Sequence, residues 1–124
     1  MMLIQSDRLE SICDEILHLD SKMMFVVIIN DNGRLLAKNK KEGTEEALVG
    51  QKEQEILLME IALGVRMRRD HDHNLGEVKF TITHGDKVIS MIFPLCESIL
   101  YVCAEKEIDT LKASLSVLQL LETK

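Results

Sequence analysis

The chain has 124 residues, of which 46% are hydrophobic and 3% aromatic, and its formal net charge is −6 at pH 7. This length fits a single domain over residues 1–124, and the apolar content supports a folded core and excludes a disordered chain. Because the chain is acidic and has few aromatic rings for base stacking, its composition argues against nucleic-acid binding.

Cysteine usage and hydrophobic runs indicate a reducing, aqueous setting. The cysteines are Cys13, Cys96 and Cys103, an odd number without C-x-x-C spacing, which argues against a disulfide framework or a zinc ribbon. The first residues lack the basic and apolar regions of a signal peptide, and the longest apolar run, residues 23–29, is too short to span a bilayer. We therefore expect a cytoplasmic protein without a membrane partner.

The first predicted element is an amphipathic helix over residues 7–19. Asp7 and Glu10 have the spacing of a capping box, which predicts that the helix begins at Asp7. His18 falls on the polar side, near Asp14. The apolar residues that recur on the other side are Leu9, Ile12, Cys13, Ile16 and Leu19.

A β-hairpin is predicted next. Residues 23–29 are apolar on both alternating faces, as expected for a central strand that is covered on both sides. The turn residues Asp31, Asn32 and Gly33 tolerate a positive φ, so a tight turn is expected there. Residues 34–38 then form the returning strand.

The second helix is expected to follow an N-cap at Thr44 and to end near Arg69. At about 100° per residue, positions 53–69 form two nearly opposite apolar stripes that polar seams separate. The first stripe is Leu57, Leu58, Ile61 and Val65, and the second is Ile56, Met59, Leu63 and Met67. Both stripes need a cover, and a second copy of the chain is a natural candidate for one of them. The sequence does not decide which stripe faces the sheet. Gly64 fits a close approach of another backbone or a merely tolerated glycine.

Three strands and a helix are predicted in the remaining chain. Residues 77–83 alternate as in an edge strand, whereas residues 87–94 and 98–104 are apolar on both faces. Asp109 is the expected N-cap of the last helix. The apolar stripe of that helix is Ile108, Leu111, Leu115 and Leu118. The order α-β-β-α-β-β-β-α predicts an α+β fold, a five-stranded antiparallel sheet flanked by helices, with the first strand lying centrally beside the last.

The stretch RRDHDHN, residues 68–74, concentrates side chains that bind metals. His71 and His73 could ligate zinc together with a nearby histidine or aspartate, but an isolated H-x-H is weak, and a solvated connection is the simpler interpretation. Asp70 and Asp72 show no sign of the cleft that general acid–base catalysis needs. We expect no bound metal here.

The remaining reactive side chains give no catalytic pattern. Cys103 lies in a buried-strand context, whereas Cys96 follows a turn and is the better candidate for exposure, although no neighbouring residue suggests an activated thiolate. The arginines 66, 68 and 69 are typical of a helix C-terminus, where they complement the dipole. The sequence has no phosphate-binding glycine motif and no nucleophile elbow. We expect no catalytic residues and no cofactor.

The element order, the hairpin FVVIINDNGRLLAK and the doubly apolar helix EQEILLMEIALGVRMR resemble the roadblock/dynein light-chain family, within the wider profilin-like group that includes longin domains. The stretch from RRDHDHNLGEVKFTIT through KVISMIFPL to ILYVCAE also resembles a group of small proteins from ammonia-oxidising archaea. In roadblock homodimers the central helix packs on its twin and the third strand can pair edge to edge. The resemblance therefore implies dimer contacts at residues 53–69 and 77–83.

The leading hypothesis is a non-catalytic, homodimeric regulatory or scaffold protein, because roadblock proteins commonly act as platforms for small GTPases or for motor and signalling assemblies. The candidate interface residues are Leu57, Ile61, Gly64, Val65, Val78, Phe80 and Ile82. The alternative is a PAS-like or profilin-like sensory domain that holds a small molecule between sheet and helix, with Ser90 and Tyr101 as polar contacts. An enzyme that uses His71, His73 and the aspartates ranks lowest.

Overall fold

The computed structural model describes residues 2–44 and 51–123, with side chains from Asp7 onward. Its helices are α1 (Met2–Leu17), α2 (Gln51–Arg69), α3 (Asp72–Leu75) and α4 (Thr110–Glu122). Its strands are β1 (Met23–Asn30), β2 (Leu35–Lys40), β3 (Thr81–His84), β4 (Val88–Pro94) and β5 (Ser98–Glu105). The predicted order is confirmed, with α3 as one additional short helix between α2 and β3.

The strands form a five-stranded antiparallel sheet in the order β2-β1-β5-β4-β3. The prediction that the first strand lies beside the last is confirmed, and β5 occupies the middle of the sheet. Every residue of β5 from Ile99 to Ala104 is buried. Because successive side chains of a strand point to opposite faces, such continuous burial requires a cover on both faces of the sheet.

Helices supply both covers, so the fold has three layers. One face of the sheet packs against α1 and α4, in a core that includes Ile16, Phe93 and Val117. The other face packs against α2 alone among the described helices, in a smaller core around Ile29 and Ile99. The sheet is therefore more heavily covered on the α1 and α4 face than on the α2 face.

The predicted turn between β1 and β2 is confirmed. The Asn30 side-chain oxygen accepts hydrogen bonds from the backbone N–H groups of Asn32 and Arg34, each at 2.9 Å, and Gly33 has a φ of 86°. Asn30 thereby organises the turn that its own strand leads into. Strand β2 continues to Lys40, two residues beyond the predicted end, and a bulge interrupts its register opposite Ile29.

Two helix starts test the capping predictions. Helix α1 begins at Met2, so Asp7 lies inside it and the predicted capping box at Asp7 and Glu10 is wrong. Helix α4 does follow its predicted cap, because the Asp109 carboxylate accepts a hydrogen bond from the Lys112 N–H at 3.1 Å. The predicted first turns of the second helix fall on residues 45–50 and lie outside the described residues. Thr44 is the predicted N-cap of this second helix, and its hydroxyl donates a hydrogen bond to the Met24 carbonyl at 3.4 Å.

The predicted apolar stripe of α4 is wrong at two positions. Leu111 and Leu115 are exposed, whereas the buried residues are Ala113, Ser114 and Val117. The sheet face below already holds large side chains, so the helix presents small ones to it. Within the described ranges, no helix of the chain is both long and apolar enough to cross a bilayer.

Candidate interaction surface on helix α2

The inner side of α2 packs against the chain's own sheet. Its buried residues Leu58, Ile61, Ala62 and Val65 face Val27, Ile29, Ile99 and Tyr101. Leu57 is half-buried and packs at the margin of the same core. Ile61 and Val65 retain only 9% exposure each, so these two candidate interface residues belong to the core of the protomer. This corrects the expected assignment of sides, since a core side chain cannot also be the outward contact.

The opposite side of α2 carries large apolar side chains in water. These are Ile56, Met59, Leu63 and Met67, which are between 48% and 60% exposed and which we call the outer stripe. Their spacing of three or four residues places them in one row along the helix. A row of four exposed apolar side chains on one helix face is typical of a protein–protein contact surface.

A close approach of the β1–β2 turn fixes α2 over the sheet. A Cβ at Gly33 would lie 2.7 Å from the Met59 Cα and 2.8 Å from the Leu58 carbonyl oxygen. Gly33 also has a positive φ, which disfavours any residue with a side chain. The turn therefore touches the backbone of α2 directly and leaves the Met59 side chain directed outward.

Arginines at the C-terminal end of α2 bind the neighbouring loops. Arg69 donates to the Asp31 carboxylate at 3.2 Å and to the Leu95 carbonyl at 3.0 Å, so it joins the β1–β2 and β4–β5 turns. Arg68 donates to the Asp72 carboxylate at 2.9 Å. The start of RRDHDHN thus anchors the end of α2 through specific contacts, in addition to favourable placement at the helix dipole.

An open groove of about 920 Å³ runs beside α2, over the part of the sheet that this helix leaves uncovered. Val78 and Ile92 contribute apolar surface to it, and Glu60 and Arg68 are among its charged residues. Gly64 lines the groove as well, and apart from its chain neighbours and the adjacent backbone of α2 itself, no described atom lies within 4 Å of the position that a Cβ would take there. Contacts within the described chain therefore do not explain the glycine.

The candidate edge-strand residues divide between the two faces of the sheet. Strand β3 lies at the predicted edge but begins at Thr81, so Val78 and Phe80 precede it. Phe80 and Ile82 pack against the core below α1 and α4, and the rings of Phe80 and Phe93 are 5.9 Å apart. Of these three residues, only Val78 lies on the groove.

The histidines of RRDHDHN are exposed, at the start and within the short helix α3. Among the described residues, no group of three or more histidine, cysteine or acidic side chains is arranged to hold a metal ion. The Asp72 carboxylate forms an ion pair with the Arg68 guanidinium, at an N–O distance of 2.9 Å. The geometry of this stretch thus supports a structural connection from α2 to β3.

Buried thiols and a buried phenol lie within the cores. Burial and the Glu10 carboxylate raise the pKa of Cys13 to about 12, and burial raises the pKa of Cys103 to about 11. Burial, with Cys103 beside it, raises the pKa of Tyr101 to about 12. All three groups stay protonated at neutral pH, which disfavours nucleophilic chemistry. Cys96 is exposed at the groove, as the sequence indicated.

The polar pair expected for a sensory pocket lies away from the groove. The side chains of Tyr101 and Ser90 interact with each other, and neither residue lines the groove.

A family model described as "Family of unknown function (DUF6659)" matches residues 1–123, which is nearly the whole chain. The chain belongs to this family. A search of curated proteins finds no match.

Solved structures place this DUF6659 chain in the roadblock fold. A Roadblock/LC7 domain from Streptomyces avermitilis has a TM-score of 0.70 at 10% identity, with 92% of each chain covered. The gliding protein MglB from Thermus thermophilus has a TM-score of 0.66 at 13% identity, covering 96% of this chain and 92% of its own. MglB of Myxococcus xanthus also has a TM-score of 0.66, at 15% identity, and the match covers 95% of this chain and 90% of that MglB chain. The predicted fold and the resemblance to roadblock domains are confirmed.

The sequence contains a signal that identifies the outward side of α2. The charged residues of α2 before its final two arginines are Lys52, Glu53, Glu55, Glu60 and Arg66. At about 100° per residue, all of them fall on the half of the helix centred on the outer stripe. Charged side chains are almost never fully buried, so their distribution marks the half that faces water. Counting apolar stripes alone missed this asymmetry.

Proposed function

We propose that this protein is a non-catalytic regulatory or scaffold protein that forms a homodimer through α2 and offers the dimer as a platform to a small GTPase. The observation that carries the proposal is the outer stripe of α2. Its four large apolar side chains are about half exposed beside a groove that the described chain does not fill. Burying apolar surface of this kind stabilises association by about 25 cal/mol per Å² before the costs of binding.

A second copy of the chain is a suitable cover for this surface. Gly64 lies on the groove with open space around it, which leaves room for another helix backbone to approach. Strand β3 is an edge strand of the described sheet, and its residue Thr81 lines the groove. The outer edge of β3 is therefore available for pairing with the same strand of a second copy. A solved neighbour described as "MglB with tetrameric arrangement" has a TM-score of 0.68 at 12% identity, covers 95% of this chain and 90% of its own, and supports self-association in this fold.

The chemistry of the outward half of α2 suits a protein partner. The outer stripe forms an apolar centre, and charged residues of both signs, such as Glu60 and Arg66, surround it. An apolar centre with a polar rim is the usual composition of a protein–protein interface. The second copy occupies this interface, and the roadblock resemblance supplies the class of partner that the dimer binds, a small GTPase.

Affinity capture from native extract tests the platform. The wild-type protein is compared with Leu63→Glu, which places a charge in the outer stripe, in extract supplied with a non-hydrolysable GTP analogue. The matched control is Leu115→Glu, because Leu115 on α4 is 52% exposed and Leu63 is 49% exposed. We expect wild type and L115E to enrich a GTPase and L63E to lose it, because the charge at Leu63 separates the dimer that forms the platform. Equal enrichment by all three proteins, or no GTPase on wild type, contradicts the proposal.

The groove itself favours a second candidate, a sensory domain for a small molecule. Its volume of about 920 Å³ falls within the range of ligand pockets, about 300–1,000 Å³. Native mass spectrometry of protein purified without added ligand tests this function. A bound metabolite that Ile92→Trp removes supports the sensor, and ligand-free wild-type protein contradicts it.

A further inference from the structure

The outer side of β2 ends the sheet at the edge opposite β3. Among the described residues, no strand pairs with this side. The Lys41 N–H donates to the Met24 carbonyl at 2.8 Å, which fixes the alternation of backbone groups along β2. Ala37 and Asn39 accordingly turn their N–H and C=O groups toward β1, and Lys38 turns its own outward.

Part of this edge is already closed by a side chain. The N–H of Lys40 also points outward by the same alternation, and it donates to the Asn39 side-chain oxygen at 2.9 Å. The Asn39 amide in turn donates to the Asp14 carboxylate of α1 at 3.1 Å. Between Ala37 and Lys40, the outward donor and acceptor pair that no described strand engages is therefore that of Lys38.

The side chains around this open pair are apolar and basic. Leu35 and Leu36 are 43% and 39% exposed at the start of β2. Arg34 and Lys38 are exposed beside them, which makes the edge basic on a chain whose net charge is −6. Charged side chains on an edge strand oppose pairing with a strand of the same charge. A second copy of β2 would place these basic residues against each other, so self-pairing at this edge is disfavoured.

We propose that the β2 edge binds an extended, acidic and apolar peptide segment of a partner protein by adding it to the sheet as a further strand. The main-chain groups of Lys38 hydrogen-bond the segment, and its acidic residues lie across from Arg34 and Lys38. Its apolar residues cover Leu35 and Leu36. Cross-strand pairs of opposite charge and apolar pairs both stabilise strand addition. The site lies at the far end of the sheet from β3 and does not depend on the α2 platform.

A fluorescent peptide of about eight residues, with a central run of valines flanked by glutamates, tests this site, since strands of that length are common. A peptide with the same valines flanked by lysines is the control. Binding is measured by fluorescence anisotropy, and the contacted residues are located by NMR shifts and amide hydrogen exchange. We expect the acidic peptide to shift the Leu36 and Lys38 resonances, to slow exchange of the Lys38 amide and to bind more tightly than the basic peptide.

Variants separate the backbone contact from the charge. Lys38→Ala removes the charge and retains the N–H. Lys38→Pro removes both, and an edge strand tolerates proline where the N–H faces outward. Lys38→Glu reverses the charge, and Lys79→Glu makes the same reversal at an exposed position before β3. We expect K38P and K38E to raise the Kd by roughly tenfold or more, K38A to raise it less, and K79E to leave it unchanged.

Several results overturn the proposal. The first is the absence of binding by the acidic peptide to folded wild-type protein. Equal binding of the basic peptide excludes charge recognition, and peptide shifts confined to β3 or α2 exclude the β2 edge. An unchanged Kd in K38P excludes the backbone contact. Unchanged amide shifts away from residue 38 in each variant establish that the variant is folded.

Discussion

The two sides of α2 contain similar apolar residues in opposite environments. Ile61 and Val65 on the inner side are 9% exposed and belong to the core with β1 and β5. Leu63 and Met67, two residues further along in each case, are about half exposed. The comparison teaches that helical periodicity locates apolar stripes, whereas the distribution of charge decides which stripe is covered by the chain itself.

The largest expected effect is on the inner side. Replacing Ile61 by Glu buries a carboxylate without a partner and should lower the free energy of unfolding by about 3 kcal/mol or more. Leu63→Glu, on the outer side, should change the free energy of unfolding of the monomer by less than about 0.5 kcal/mol. Urea denaturation of dilute protein measures both. Similar losses in the two variants would remove the distinction between the sides.

The turn that holds α2 in this orientation should be the next most sensitive feature. Gly33→Ala introduces a Cβ against the backbone of Met59 at a φ of 86°, so we expect a loss of about 2–3 kcal/mol. Gly43→Ala is the matched control, because Gly43 has a φ of 88° and open space around it. Its loss should be about 1 kcal/mol, from backbone strain alone. Equal losses in thermal or urea unfolding would argue against the close approach.

The loop contacts of Arg69 should contribute less. Arg69→Ala removes its bonds to Asp31 and to the Leu95 carbonyl, with an expected loss of about 1 kcal/mol. The Arg69–Asp31 pair is partly exposed, so a double-mutant cycle with Asp31→Ala should give a coupling of about 0.5 kcal/mol that falls as salt is added. A coupling of zero at low salt would show that the ion pair does not help to anchor α2.

The smallest effect concerns the accessibility of the three cysteine thiols. Cys96 is exposed at the groove, whereas Cys13 and Cys103 are buried and their pKa values are raised to about 12 and 11. At neutral pH we expect Ellman's reagent to label Cys96 rapidly and the other two only when the protein opens. Labelling of Cys96 should slow as protein concentration rises if a second copy covers the groove. Rapid labelling of Cys103 in the folded protein would contradict its burial.

Most of the fold could be predicted because its signals are local. The turn residues Asp31 to Gly33, the continuous apolar strands and the Asp109 cap each reflect short-range chemistry, and the structure contains all of them. The predictions that are wrong concern features that depend on tertiary packing. Leu111 and Leu115 follow a regular apolar spacing, but α4 turns its small residues to a sheet face that is already filled.

The candidate surface was predictable only in part. The sequence identifies both stripes of α2, but two of the candidate interface residues, Ile61 and Val65, are buried against the sheet. The groove is lined by residues far apart in sequence, such as Gly64 and Ile92, and no local pattern indicates it. The Gly33 contact with α2 likewise joins residues far apart in sequence, although its glycine was already required by the turn.

Sedimentation equilibrium tests most directly the claim that the outer stripe is an association surface. The account predicts that wild-type protein and Leu115→Glu sediment with the mass of a dimer, twice 14.1 kDa, and that Leu63→Glu sediments as a folded monomer. A wild-type protein that remains monomeric at high concentration, or a Leu63→Glu dimer as tight as that of wild type, would contradict it.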